Sequence, residues 1–112
     1  MVADYDVAVR DHLIDLLHVD GELVALVEMI AEPDCLMVEN LAVAPAHQSR
    51  GYGRRLMQHA EQMAISLGHK IMRLYTNQRF TTNIALYERL GYRIDREEAV
   101  NVARVVHMSK TI

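Results

Sequence analysis

The chain has 112 residues, of which 51% are apolar and 24% are charged, and its formal net charge is −3. This composition is typical of a single globular domain over residues 1–112, and the weak negative charge excludes a surface built to neutralise nucleic-acid phosphates. With one cysteine and six scattered histidines that lack the spacing of zinc ligands, the sequence predicts no internal disulfide and no metal site.

The N-terminal segment MVADYDVAVRD lacks the basic flank and apolar core of a secretory signal. No apolar stretch approaches the ~20 residues that span a bilayer, so we expect a cytoplasmic protein without a membrane partner. Residues 1 to 12 fit two patterns. Tyr5, Val7 and Val9 alternate as in a strand, whereas Val7, Leu13 and Leu17 also fit one helical face.

Three strands are predicted in the first part of the chain. Asp20-Gly21 suits the positive φ angles of a tight turn and joins residues 13–19 and 22–31 into an antiparallel hairpin. Residues 35–43 form a third run that is nearly continuous in apolar residues. Such a run predicts a strand that is buried on both faces.

The clearest helical pattern begins at Gly51 and is followed by Gly68, which predicts the stop. Its apolar stripe consists of Leu56, Met57, Ala60, Met63, Ala64 and Leu67. A strand is predicted over residues 71–76. Together with the preceding strand and helix it forms a βαβ unit, whose strands should be parallel with a right-handed crossover.

The remaining elements are one helix and two strands. The helix is predicted over residues 82–90, with a threonine available as the N-cap and Gly91 as the stop. Residues 92–97 and 103–110 are β-like. Because the sheet outside the βαβ unit looks antiparallel, the sequence predicts a mixed sheet.

The segment HQSRGYGRR, residues 47–55, places cations at a helix N-terminus, where they oppose the helix dipole. An anion bound there would remove the conflict, because Gly51 and Gly53 leave the backbone amides uncovered. The arginines would then pair with phosphates; these are Arg50, Arg54 and Arg55. The alternative is a turn whose arginines point into water. Leu56 occupies the third glycine position of a dinucleotide fingerprint, and the sequence contains no P-loop.

The hexapeptide Gln48-Ser49-Arg50-Gly51-Tyr52-Gly53 resembles the Q/R-x-x-G-x-G/A signature of the GCN5-related N-acetyltransferase (GNAT) superfamily. The longer block VENLAVAPAHQSRGYGRRLM is similar to that family's fourth strand and phosphate loop. A second block, LYTNQRFTTNIALYERLGYRIDRE, is similar to its later strand and helix. The resemblance covers residues 13–112.

The resemblance implies an α/β (α+β) fold: a mixed, mostly antiparallel sheet with a central splayed parallel pair and flanking helices. It implies transfer of an acetyl group from acetyl-CoA to a small-molecule or peptide amine by direct attack in a ternary complex. Leu41, Ala42 and Val43 would hold the pantetheine arm. The phosphates would be held by the backbone of Gln48, Ser49, Arg50, Gly51, Tyr52, Gly53, Arg54 and Arg55.

The resemblance also assigns chemical roles. Tyr87 would protonate the leaving thiolate, and Asn83, four residues earlier on the same helix face, would bind the coenzyme. Glu39 is the first candidate for the base and Glu28 the second, because burial raises the pKa of a glutamate. A backbone N–H at a strand bulge near Val43 would polarise the thioester. The plain alternatives are a core tyrosine and an ion-paired glutamate.

Family members usually carry a strand and two helices before the region that corresponds to Leu13, so this chain is expected to be N-terminally shortened. The acceptor site would then be open, completed by a second subunit in a homodimer, or missing. The last case leaves a coenzyme-binding module without catalysis. Two other routes are disfavoured: RNA binding by the arginines, because of the overall charge, and acyl transfer through Cys35, because no base is paired with it.

Overall fold

The computed structural model describes residues 12–112, and the alternative patterns of Tyr5, Val7 and Val9 lie outside them. The described chain forms six strands, two α-helices and a short 3-10 turn at Pro45–His47. The strands are β1 His12–Val19, β2 Glu22–Ala31, β3 Leu36–Val43, β4 Ile71–Asn77, β5 Arg93–Val100 and β6 Ala103–Thr111. The helices are α1 Tyr52–Ser66 and α2 Thr81–Arg89.

The strands form one mixed sheet in the order β1-β2-β3-β4-β6-β5. The pair β3 and β4 is parallel and flanks the crossover helix α1, and every other neighbouring pair is antiparallel. The predicted mixed sheet with a βαβ unit is therefore confirmed. β5 and β6 are joined by a two-residue turn in which Asn101 has φ 55°, and β5 extends three residues beyond its predicted end.

Both helices end as predicted. At the end of α1 the amides of Gly68 and His69 donate to the carbonyls of Ile65 and Ala64, and Gly68 has φ 84°. This is the Schellman pattern, in which glycine takes the left-handed conformation without strain. Gly91 ends α2 in the same way. The start of α2 differs from the prediction, because its N-cap is Phe80 and no side chain caps it.

Helix α1 packs on β2, β3 and β4. A single apolar cluster lies between the sheet and the helices, and Tyr87 of α2 belongs to it. Its fully buried members include Val27, Met29, Leu36, Met57, Ala60, Ala64, Met72 and Met108. Leu67 was predicted in the helical stripe but is exposed, because it forms the C-cap.

The prediction that β3 is buried on both faces is wrong. Leu36 and Val38 point into the core, but Asn40 and Ala42 are exposed on the opposite face. On β1, which pairs with the other edge of β2, Ile14 and Leu16 are exposed on that same face. Within residues 12–112 both helices lie on the core side of the sheet, so we refer to the other side as the open face.

Candidate active site

A cavity of about 660 Å³ lies between the C-terminal end of β3, the following loop and helix α2. Its lining includes ten of the predicted coenzyme-binding residues: Leu41, Ala42, Val43, Gln48, Ser49, Gly51, Tyr52, Gly53, Arg54 and Asn83. Four further residues line it: His47, Thr82, Leu86 and Arg89. The volume is in the usual range of ligand pockets, ~300–1,000 Å³.

The N-terminus of α1 opens into this cavity. Gly51 is the N-cap with φ 83°, no side chain caps the helix, and the first turn contains no acidic residue. The first helical hydrogen bond runs from the Arg55 amide to the Gly51 carbonyl at 3.0 Å, so the amides of Tyr52, Gly53 and Arg54 have no acceptor within the helix. Three free amides at the positive end of a helix dipole form a site for an anion.

The backbone before this helix is unusual at two positions. Ser49 has φ 65° and Gly51 has φ 83°, both in the left-handed region. Residues in this region turn successive amides toward one side of the loop, which creates a concave surface that attracts anions. Gly51 adopts the conformation at little cost, whereas Ser49 is strained, and strain of this kind often accompanies binding loops.

The edge of β3 that lies beside the cavity is not paired with β4. The parallel ladder between β3 and β4 covers only three residue pairs and ends at Val38 with Leu74. From Leu41 to Val43, β3 is still paired with β2 but no longer with β4. Its backbone groups on the β4 side therefore have no strand partner in the described chain, and the predicted splayed pair is confirmed. The side-chain amide of Gln48 donates from Nε2 to the Val43 carbonyl at 3.3 Å.

Gly53 keeps the two helices close together. A Cβ atom at this position would lie 3.3 Å from a methyl carbon of Leu86 on α2 and 3.8 Å from Leu41 and Val43. The absence of a side chain therefore lets the first turn of α1 approach both α2 and β3. Gly53 and these three neighbours all line the cavity.

The arginines near the start of α1 lie in different places relative to the cavity. Arg54 and Arg89 line the cavity, while Arg50 is exposed and outside its lining. Arg55 lies in a separate groove with Asp15 and His59, and its amide is already bonded within the helix. The structure therefore does not bring Arg50 or Arg55 into the cavity. Neither Arg54 nor Arg89 forms an ion pair with another residue of the 12–112 stretch.

Arg89 and His47 were not among the predicted binding residues. Thr82, Leu86 and Arg89 have the spacing of one helical stripe. Once α2 is placed beside the loop, this spacing indicates that Arg89 faces the cavity. The side chain of His47 is only 17% exposed, and its Nε2 atom lies 3.1 Å from a carboxylate oxygen of Glu22. Its Nδ1 atom is buried without a partner in the described chain.

The two residues predicted on α2 occupy different surroundings. Asn83 lines the cavity, but Tyr87 does not. Tyr87 is 4% exposed and its ring packs edge-on against Tyr92 at a centroid distance of 6.1 Å. Burial raises the pKa of Tyr87 to about 12, so the hydroxyl carries its proton at neutral pH.

Glu39, the first candidate for the base, lies where β3 and β4 separate. Glu28 pairs with Asn40 and Met29 pairs with Val38, so Glu39 is the extra residue of a β-bulge. The bulge was expected near Val43, and that prediction is wrong. The Tyr75 hydroxyl of β4 donates to Glu39 Oε2 at 2.5 Å. Glu28, the second candidate, lies 2.8 Å from His12 Nδ1.

Cys35 has the properties of a core residue. Its side chain is fully buried and its Sγ atom lies 3.5 Å from a carboxylate oxygen of Glu32. Burial, followed by the neighbouring carboxylate, raises the pKa of the thiol to about 11. A thiol that stays protonated is a poor nucleophile, which argues against a route through an acyl-cysteine.

The sequence profile of the acetyltransferase (GNAT) family matches residues 4–92, which is most of the chain. This chain is a member of the GNAT family. The predicted fold class is thereby confirmed together with the predicted resemblance.

Solved structures of other GNAT acetyltransferases share the fold. Nourseothricin acetyltransferase superposes with a TM-score of 0.83 at 25% identity, and the match covers 90% of this chain and 65% of that chain. The ribosomal-protein-S18-alanine N-acetyltransferase from Escherichia coli gives a TM-score of 0.85 at 23% identity, covering 97% and 76%. A GNAT family acetyltransferase from Elizabethkingia anophelis with acetyl-CoA bound gives 0.82 at 16%, covering 100% and 84%.

The lining of this GNAT cavity fits the chemistry of acetyl-CoA. A diphosphate needs N–H donors and cations, and the mouth of the cavity offers the free amides of α1 with Arg54 and Arg89. A pantetheine arm carries amides that need backbone partners, and the unpaired edge of β3 offers them.

Residues 12–112 contain neither a cluster of metal ligands nor a membrane-spanning helix. No three His, Cys, Asp or Glu side chains lie close enough together to hold a metal ion. Neither α1 nor α2 has the length and apolar character of a membrane-spanning helix.

Proposed function

We propose that this chain is an N-acetyltransferase that moves the acetyl group of acetyl-CoA directly to an amine acceptor in a ternary complex. The observation that carries the proposal is the uncapped N-terminus of α1, which opens into the same cavity as the unpaired edge of β3. The N-terminus of α1 would hold the phosphates, and the edge of β3 would hold the pantetheine arm. The loop of residues 44–51 connects these two elements.

Acetyl-CoA supplies an acetyl group activated as a thioester. In our proposal the amides at the start of α1 bind its diphosphate, and Arg54 and Arg89 balance the phosphate charge. Leu41, Ala42 and Val43 orient the arm through their backbone groups, and Asn83 binds its polar portion. Holding the reactants in one geometry removes much of the entropic barrier to transfer.

Two proton transfers complete the reaction. A free alkylamine has a pKa near ~10.4, so the acceptor arrives as an ammonium ion and must lose a proton before it can attack. Glu39 takes that proton, directly or through water. Tyr87 gives its proton to the sulfur from which the acetyl group departs. After the attack the nitrogen still carries one proton more than the amide product; it loses this proton, and Tyr87 is reprotonated through solvent. The net products are the acetylated amine, free thiol and one proton.

The acceptor class follows the range of the family neighbours. One of them is named for nourseothricin, and another for an alanine of ribosomal protein S18. We propose that the acceptor of this chain is a small-molecule or peptide amine. We further propose a cytoplasmic homodimer, and a monomeric mass by light scattering at micromolar concentration would contradict the dimer.

A second candidate function is a coenzyme-binding module without catalysis. It is favoured by the position of Tyr87, which is packed into the core and is not part of the cavity lining. In this case the cavity would still bind acetyl-CoA, but no group would protonate the departing thiolate.

One experiment separates the two candidates. The chain is incubated with acetyl-CoA and a panel of polyamines, aminoglycoside-like amines and alanine-terminated peptides, and free thiol is measured against the rate without acceptor. An increase with any amine supports the transferase. Stabilisation by acetyl-CoA in a thermal melt, without release of thiol, supports the binding module.

The Tyr87→Phe variant then tests the assigned acid. We expect its turnover to fall at least ~100-fold, within the range of general acid catalysis, while its affinity for acetyl-CoA stays unchanged. Turnover equal to that of the wild type would remove Tyr87 from the mechanism.

A further inference from the structure

The open face carries a polar contact at the point where the parallel strands separate. Val38 and Leu74 form the last pair of the ladder, and the next residue of each strand is Glu39 and Tyr75. Their side chains meet across the opening, where the Tyr75 hydroxyl donates to Glu39 Oε2 at 2.5 Å. Sequence reasoning assigned no role to Tyr75.

The bulge explains why Glu39 reaches this position. Because β3 contains one extra residue here, Glu39 faces no partner in the β2 register, and its side chain is free of the ladder alternation. Bulges commonly re-aim a side chain beside an active site. Here the side chain is directed toward Tyr75 on the neighbouring parallel strand.

Other titratable groups surround the pair. On the β2 side Glu28 lies 2.8 Å from His12, and on the β6 side the His107 ring lies 6.1 Å from the Tyr75 ring. His107 is itself 3.0 Å from Glu98 of β5. Each histidine therefore already has a carboxylate partner. Within residues 12–112, the Tyr75 hydroxyl is the only side-chain donor bonded to Glu39.

We propose that Tyr75 is the positioning residue for the proton acceptor Glu39, and that its hydroxyl holds this carboxylate at the opening between the strands. The inference rests on the proposed function, in which Glu39 takes a proton from the acceptor amine. Tyr75 itself touches neither substrate.

A tyrosine is chemically suited to this task. An arginine or lysine would fix the carboxylate equally well, but its positive charge would cancel the charge of Glu39 and repel an ammonium ion. The phenol donates one hydrogen bond and remains neutral. It occupies Oε2 and leaves Oε1 of Glu39 without a hydrogen-bond partner in the described chain, so Oε1 can receive the proton.

The contact can be tested without any turnover. The hydrogen bond to Glu39, followed by burial and nearby carboxylates, raises the pKa of Tyr75 to about 12. We would place 3-fluorotyrosine at position 75, because its fluorine lowers the phenol pKa into a range where the protein is folded, and follow it by ¹⁹F NMR. Glu39→Ala should lower the titration midpoint of the phenol at position 75 by about one pH unit or more, since it removes both a hydrogen bond and a negative charge. Glu28→Ala, the matched control, removes only a charge and should lower it less.

The kinetic role is tested with the acceptor that gives the fastest thiol release. We expect Tyr75→Phe to lower kcat about tenfold without changing the KM for acetyl-CoA, because a loosened base is less often in position. Arg73→Gln, on the same strand and face, should behave as the wild type.

The double variant Tyr75→Phe with Glu39→Gln completes the test. If Tyr75 acts through Glu39, the double variant is no slower than Glu39→Gln alone. Losses that multiply, or a Tyr75→Phe variant with unchanged kcat, would overturn the inference. An unshifted NMR midpoint in Glu39→Ala would overturn it as well. Absence of thiol release by the wild type with every amine would instead overturn the proposed function, and the NMR result would still report on the contact.

Discussion

The two halves of strand β3 have different surroundings, although they are continuous in sequence. Leu36 to Val38 is paired with β2 on one side and β4 on the other, and its core-facing side chains are buried. Leu41 to Val43 keeps only the β2 partner, and its residues line the cavity. The first half holds the sheet together, and the second half exposes backbone groups that the fold does not use.

This division has a physical cause. An unpaired backbone N–H or C=O group inside a protein costs free energy unless water or a ligand forms a hydrogen bond with it. Two strands are therefore expected to separate only where such a partner takes the place of the lost ladder bonds. The bulge at Glu39 marks the boundary between the two halves. Substitutions on either side of this boundary should therefore affect different properties.

The largest expected effect is on stability and lies in the first half. Leu36→Ala should lower the free energy of unfolding by about 2–5 kcal/mol, because Leu36 is fully buried. Leu41→Ala should cost clearly less, since Leu41 is only half-buried, but should weaken acetyl-CoA binding. Urea denaturation and calorimetric titration measure the two quantities. Equal stability losses would show that the halves do not differ.

A second prediction concerns alkaline pH. The pKa of Tyr87 is about 12 in the folded chain and 10 as an ordinary tyrosine, so the folded state retains the proton longer. The corresponding stability, about 2–3 kcal/mol, is fully present below pH 10 and is lost as the pH rises to 12. Tyr87→Phe should therefore lose less stability over this interval than the wild type. Parallel curves of stability against pH would contradict the burial of the hydroxyl.

The third prediction compares two glycines. Gly21 and Gly51 have φ angles of 81° and 83°, and a Cβ on either would meet nothing within 4 Å. Gly21→Val and Gly51→Val should each cost at least ~1–2 kcal/mol of stability, the strain of a left-handed L-residue. Only Gly51→Val should abolish binding of acetyl-CoA, because it changes the direction of the amides at the start of α1. Loss of binding in both variants would mean that destabilisation alone is responsible.

The smallest expected effect separates the arginines. Arg89→Ala should weaken acetyl-CoA binding about two- to fivefold at low salt, equivalent to ~0.5–1 kcal/mol, and added salt should reduce the difference. Arg55→Ala, with its side chain in the separate groove, should bind acetyl-CoA as the wild type does. A stronger effect of Arg55 would place the phosphates on the other side of α1.

Local sequence patterns predicted most of the fold. The Asp20-Gly21 turn, the stops at Gly68 and Gly91 and the stripe of α1 from Leu56 to Ala64 depend on residues near one another in the chain, and all are present in the structure. Burial of β3 was predicted wrongly, because the cover over a sheet face is supplied by distant elements. A run such as CLMVENLAV does not reveal whether its second face has a neighbour.

In the candidate site, too, the residues identified from local sequence were predicted, and those that depend on distant contacts were missed. The loop from Gln48 to Arg54 was identified from its own residues and from the family resemblance, and most of it lines the cavity. Arg89 and Tyr75 were missed because their significance arises from contacts across the sheet and between helices. Arg55 was included because its sequence position gave no indication that its side chain leaves on the far side of α1.

The two glycines of the hexapeptide have different tolerances for substitution. Gly51 has open space around its α-carbon but a backbone angle that L-residues avoid, so any side chain is strained there. Gly53 has an ordinary helical backbone, and a methyl group would be tight only against the flexible end of Leu86 at 3.3 Å, with ordinary contacts to Leu41 and Val43 at 3.8 Å. Replacing Gly53 with alanine therefore requires the Leu86 side chain to shift by a few tenths of an ångström. Replacing Gly51 with alanine instead strains the main chain. This difference gives a stereochemical reason why the signature permits alanine at its last position and requires glycine two residues earlier.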